Sequence, residues 1–174
     1  MPLTFEQLRA IMPYSAGRAE KFVGPLNETF ALYEINSQKR QSAFLAQVAH
    51  ESGELRYTLE IAPGDAYENR TDLGNVYPGD GKQFKGRGLI QLTGRKNYQE
   101  AGMALGLDLL NNPSILETPA GASHSAGWFW SSRHLNELAD QDRFGAITRR
   151  INGAFSGLDE RIGYWLRARR VMGL

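Results

Sequence analysis

At 174 residues, with 41% hydrophobic and 22% charged side chains, the chain has the size and mixture of one globular domain that can bury a real core. Its net charge of +1 gives no strong field for nucleic acid, and the absence of cysteine excludes a disulfide framework and fits synthesis in a reducing cytoplasm. No apolar run approaches the roughly 18 residues of a membrane span, and Met1 to Glu6 lack the basic and apolar regions of a secretion signal, so neither membrane insertion nor a leader is expected.

Helix signals dominate the chain order. Thr4-Phe5-Glu6-Gln7 has the capping-box form and opens a helix to about Met12. A second helix is expected over 16–23, broken by Gly24-Pro25 and resumed over 26–35. Ser37 or Gln38 starts a central helix that ends near Gly53. Residues 56–85 carry turn chemistry: Pro63-Gly64-Asp65, Asn69, Gly74-Asn75, then Pro78 to Gly81. An irregular stretch of this length in a compact domain is usually functional, and a small hairpin or an ordered loop would fit it. Helix returns over 95–105, closed by Gly106. Thr118-Pro119 is an N-cap and N1 pair opening a helix that carries Trp128-Phe129-Trp130. Asp140 or Asp142 is expected to cap a helix through Ile151, and 158–172 is the last helix.

Inside the central helix, Phe44, Val48 and Glu51 share one face. A glutamate on that stripe, in the last turn, has its charged form disfavoured both by burial and by the negative end of the helix. A carboxyl that keeps its proton near neutral pH is what a general acid needs. Glu60 lies nine residues on and would face the other way if the helix continued, but Ser52-Gly53 should end the helix and let the chain fold Glu60 back. Two carboxylates across a cleft are the apparatus of glycoside hydrolysis. Phe84 to Gly94 then brackets Arg87 with glycines and presents Gln91 and Thr93 in a strand or turn. His50-Glu51 lacks the second histidine of a zinc helix, because position 54 is Glu54, and His124 and His134 are remote. Neither a metal nor another cofactor is therefore expected.

Taken together, His50-Glu51-Ser52-Gly53, Glu60, Gly86-Arg87-Gly88-Leu89-Ile90-Gln91-Leu92-Thr93 with Asn97 and Tyr98, Trp128-Phe129-Trp130, Ile151-Asn152-Gly153 and Arg161 to Tyr164 resemble the family 19 glycoside hydrolases, the chitinase family that also contains phage endolysins. The motifs run in the family's order over roughly residues 40–165. The segment from Tyr67 to Asn75 looks more like the phage lysins than the plant chitinases. The resemblance implies a mostly α-helical, lysozyme-like two-lobed domain with a small irregular or β segment, occupying residues 1–174 as one catalytic unit. It implies Glu51 as the general acid, Glu60 as the base that activates water, and Thr93 as the hydroxyl that positions that water. Glu68 stays open as an alternative base. His50, Gln91, Asn97, Tyr98, Asn152 and Arg161 would line the substrate, with Arg161 paired to a site carboxylate. Arg95 and Lys96 stand where plant relatives have aromatic residues, which bears on the sugar bound.

These readings lead to an expected biological role. The chain would be a monomeric endolysin that cuts the β-1,4-linked glycan strands of bacterial peptidoglycan. It would be made in a host cytoplasm and reach the wall through a holin-type partner. From Arg143 onward there are seven Arg and no Lys against Asp159 and Glu160, a net +5 that suits an anionic wall. Arg167, Arg169 and Arg170 are expected on a solvated face. Chitin is the alternative substrate, a single-glutamate lytic transglycosylase the alternative reaction, and a non-catalytic glycan-binding module the alternative class.

Overall fold

The computed structural model describes residues 2–174. Helix α1 (Phe5–Ile11) opens on the full capping box, with Thr4 and Gln7 satisfying each other's backbone N–H groups. Helix α2 (Arg18–Leu32) runs through Pro25, where the sequence predicts a break. A proline inside an isolated helix costs roughly 3 kcal/mol. Ala19, Phe22, Leu26 and Phe30 are buried on either side of it, and this packing offsets the local cost.

Helix α3 (Gln38–Ser52) is the axis of the molecule. The Ser37 hydroxyl caps it by accepting from the Arg40 N–H, and Gly53 ends it in the left-handed conformation. Every residue from Gln41 to Ala49 is buried, as in a helix enclosed on all sides. Phe44 is fully buried and meets Phe30 and Trp130 edge-on, with ring centroids 5.7 and 5.3 Å away.

The remaining helices are α4 (Asp80–Gln83), α5 (Arg95–Leu105), α6 (Pro119–Ser132), α7 (Leu135–Asp140), α8 (Phe144–Asn152) and α9 (Leu158–Met172). α3 packs along α9, and α2 along α6. The second contact is close: a Cβ on Gly127 would stand 2.3 Å from the Tyr33 ring. Asp140 and Asp142 do not cap α8, whose N-cap is Arg143 with no side-chain cap bond. Asp140 pairs with Arg40, and Asp142 with Lys39 and Arg169, so both acids are spent on tying this corner to α3 and α9.

The chain is 64% helical, and among the described residues the only extended pairings are two isolated antiparallel bridges, Leu59 with Arg87 and Arg87 with Leu92. Of the two forms open to the 56–85 stretch, a small hairpin or an ordered loop, the structure has the ordered loop, with short 3-10 turns at Asp65–Tyr67 and Thr71–Leu73. Buried side chains fall into two cores. The larger holds α1, α2, α3, α6 and α9, and the smaller holds Phe84, Leu92, Tyr98, Ala101, Leu109 and Leu116. Two cores make two lobes, and the lysozyme-like helical architecture follows. Within the aromatic triplet, Trp130 is fully buried in the large core, Trp128 leans on the small one, and Phe129 lies under the Arg133 guanidinium at 3.5 Å.

Candidate active site

The chain reverses directly after α3. Gly53, Glu54 and Leu55 are all left-handed, with φ of 55°, 57° and 67°. Glutamate and leucine reach that region only where surroundings over-determine it. Here the buried Glu54 carboxylate accepts from the Tyr14 N–H and the Tyr164 hydroxyl, and Leu55 is fully enclosed. Glu54 is therefore a fastener of the turn. The reversal carries residues 58–60 alongside 86–88: Gly88 N donates to Thr58 O at 2.9 Å, and Glu60 N to Gly86 O at 2.8 Å.

Glu51 stands in the last turn of α3 with its side chain 19% exposed. Its Oε1 accepts from Arg161 Nη2 at 2.6 Å. Arg161 itself is 2% exposed on α9 and also donates to Gln47 Oε1 and to the Ser156 carbonyl. Gln47 in turn donates to Thr148 Oγ1 at 2.8 Å, so α3, α8 and α9 share one buried polar network. The carboxylate that Arg161 pairs with is thus Glu51, with the guanidinium's positive charge at bonding distance.

Glu60 is half-buried and held differently. Its Oε1 accepts from the Tyr67 hydroxyl at 2.8 Å and its Oε2 from the Gly86 N–H at 2.9 Å. A Cβ on Gly86 would come within 2.8 Å of Gln91 Oε1 and 3.1 Å of Glu60 Oε2, so only glycine lets both side chains crowd that backbone. Gln91 sits in a tight turn rather than a strand, left-handed at φ 55°, with Nε2 donating to Gly88 O at 2.9 Å. Thr93 gives its hydroxyl proton to Gln91 O at 2.9 Å, which leaves its lone pairs to accept from a water. Asn97, half-buried, donates to Thr93 O at 2.7 Å.

The other sequence candidates resolve as follows. His50 packs on Gly157 beside Glu51 and meets Glu160 Oε2 through Nδ1 at 2.8 Å. Asn152 is exposed and folds the loop after α8, accepting from Ala154 N and donating to Ser156 O, the carbonyl that also receives Arg161 Nε. Tyr98 is a correction. It is fully buried, packs against Phe84 with the ring planes tilted by 60°, and donates to Lys85 O at 2.6 Å, so its place is in the small core rather than on a cleft surface. Burial pushes its phenol up to about 12. Glu68 is spent as well, its two oxygens accepting from Gly79 N at 2.7 Å and Gly81 N at 2.8 Å. Arg95 pairs in bidentate fashion with buried Asp80 and lies 4.7 Å from the centroids of the Tyr77 and Phe84 rings. Its guanidinium is engaged within the small lobe. Sequence reading missed Tyr67, whose bond to Glu60 is made by a loop without periodicity. Among the described residues no cluster of His, Cys, Asp and Glu is arranged to hold a metal ion.

Comparison with known proteins gives a consistent set. The family model described as chitinase class I matches residues 28–143, more than half of the chain. An endochitinase of Arabidopsis thaliana is 38% identical over 156 residues, covering 84% of this chain and 53% of that protein. A glycosyl hydrolase family 19 domain-containing protein of Haemophilus influenzae is 32% identical over 157 residues, covering 72% of this chain and 76% of that one. The crystal structure of chitinase C from Streptomyces griseus superposes with a TM-score of 0.82 at 27% identity, over 98% of this chain and 76% of the other. The chain spans about half the length of the curated plant relatives that it matches. With the family model, the sequence relatives and the two-lobed helical architecture in agreement, the chain belongs to the family 19 glycoside hydrolases.

Proposed function

We propose that the chain hydrolyses β-1,4 linkages between N-acetylated sugars with inversion, and that bacterial peptidoglycan is its polymer. The observation that carries the reaction is the pair of unlike carboxylates. Glu51 gives its proton to the leaving glycosidic oxygen, and the Arg161 guanidinium stabilises the carboxylate left behind. Glu60 takes a proton from the attacking water. Its two contacts are with uncharged donors, so its negative charge is not cancelled and each oxygen keeps a lone pair for that water. Thr93 accepts the water's second hydrogen. An inverting pair needs room for this water, with carboxyls about 6.5–9.5 Å apart.

Two features favour an anionic polymer over uncharged chitin. Arg143, Arg149 and Arg150 are exposed around α8, and none joins an ion pair among the described residues. The Tyr67 to Asn75 loop also resembles phage lysins. In that setting the protein acts as an endolysin, made in a host cytoplasm and released to the wall by a holin-type partner. Chitin is the second reading, favoured by the endochitinases among the relatives. The test incubates purified protein with Gram-negative sacculi and, in parallel, with soluble chitin oligomers, and follows products by mass spectrometry. Sacculus fragments with a reducing end support the reading. Fast chitin cleavage with intact sacculi moves the substrate to chitin, and products lighter by one water replace hydrolysis by transglycosylation.

A further inference from the structure

We propose that Tyr67 is the positioning residue of the base: a phenol delivered by a tied loop, which fixes one oxygen of Glu60 and holds its carboxylate ready for water. The inference rests on Glu60 being the base. The argument starts from how differently the two oxygens of Glu60 are fixed. Oε2 is set by the Gly86 N–H, part of a backbone pairing that also includes Glu60 N to Gly86 O at 2.8 Å. The donor of that contact is fixed by the main chain. Oε1 depends on a single side chain from elsewhere, the Tyr67 hydroxyl at 2.8 Å. Rotation of the carboxyl group is therefore decided by Tyr67.

The loop is built to hold that hydroxyl still. The Tyr67 carbonyl accepts from Asn75 Nδ2 at 2.8 Å, and the fully buried Asn75 accepts in turn from Arg95 N at 2.8 Å, at the start of α5. The next residue, Glu68, grips the N–H groups of Gly79 and Gly81. At Gly81 the packing is so close that a Cβ would stand 2.6 Å from Glu68 N and 2.7 Å from Gly64 O. One carboxamide and one carboxylate thus tie the chain at Tyr67 and at the residue that follows it.

The surrounding cations make their bonds elsewhere, although Arg70 acts on the Tyr67 phenol through space and partly opposes the effect of burial and Glu60. The Lys85 ammonium bonds to the carbonyls of Glu60 and Ala62. Arg70, on the loop, is taken by Asp72 through two bonds. Tyr98 and Arg87 are engaged with each other and with Lys85 O and Glu117. Burial and the neighbouring Glu60 raise the Tyr67 phenol above its usual range, so its proton stays in place as a donor.

The test is a double-mutant cycle on whichever of the two polymers the wild type cleaves, using Tyr67→Phe, Glu60→Gln and the pair. Expected for Tyr67→Phe is a kcat lower by about tenfold, as for loss of a hydrogen bond to a charged group. KM and melting temperature should stay near wild type. The acidic limb of the kcat–pH profile should move to higher pH, because the lost donor favoured the charged carboxylate. In the Glu60→Gln background Tyr67→Phe should add almost nothing. If it still costs tenfold there, or if the acidic limb does not move, Tyr67 does not act through the base and the proposal is overturned. Near wild-type turnover of Glu60→Gln alone is a different result: it removes Glu60 from the base role whatever Tyr67 does.

Discussion

Glu51 ends a helix buried from Gln41 to Ala49 and leans on a guanidinium that is itself 2% exposed, whereas Glu60 lies in irregular chain and accepts from a phenol and a backbone N–H. The contrast follows from the two lobes. The large lobe has a continuous helical core in which an arginine can be enclosed by Gln47, Ser156 and Glu51. The small lobe has six buried apolar side chains and is held instead by hydrogen bonds from its loops. In the proposed reaction, a fixed cation suits the group that becomes an anion, and uncharged donors suit the group that acts as base. Placement and chemistry are thus linked: each lobe supplies the kind of partner its packing allows.

The comparison breaks most severely at Glu51. Glu51→Gln keeps an acceptor for Arg161 but has no proton to give, and turnover should fall by about 10³ to 10⁴ while cooperative unfolding is retained. Steady-state product formation beside a urea melt checks both halves. Next comes its partner. Arg161→Met should cost about 3 kcal/mol of stability by urea titration, because Gln47 and Ser156 lose their donor and Glu51 its counter-charge. Arg161→Lys should keep more of the stability yet not the fork geometry. On the other side, Glu60→Gln should lower kcat by about 10², less than at Glu51, with little change in stability. The smallest effect sharpens the contrast between lobes. The Arg95 guanidinium and the N–H groups of Val76 and Tyr77 hold the Asp80 carboxyl below the usual carboxylate range. A lowered folded value contributes stability above pH about 4 that is lost as pH falls through the folded value. Asp80→Asn should therefore flatten the acid limb of stability below pH about 4, with a change on the order of 1 kcal/mol, seen by melting temperature against pH.

Much of this was legible before any coordinates. Ser37, Gly53, Gly106 and Thr118 mark helix ends through cap chemistry that acts within a few residues, and all four mark ends in the structure. Pro25 misleads because local propensity says break while burial across α2 says continue. Asp142 misleads for a related reason: an acid before a helix reads as a cap, but Lys39 and Arg169, distant in sequence, claim it. In the site, Glu51, Glu60 and Thr93 stand out by motif. Tyr98 stands in the same motif yet is core, since sequence proximity to a functional run does not reveal which way a ring points. Tyr67 and the roles of Glu54 and Glu68 are invisible, because each depends on contacts made across a turn or loop whose path follows no period.

The irregular stretch has one further consequence. Loops of this kind in small domains are commonly stapled by disulfides or metals. Here Glu68, Asn75 and Asp80 do the stapling, through amide N–H groups, a carbonyl and one arginine, in a chain with no cysteine. Such staples are indifferent to thiols, oxidants and chelators. The shape around Glu60 therefore depends on neither a thiol–disulfide balance nor a chelatable ion.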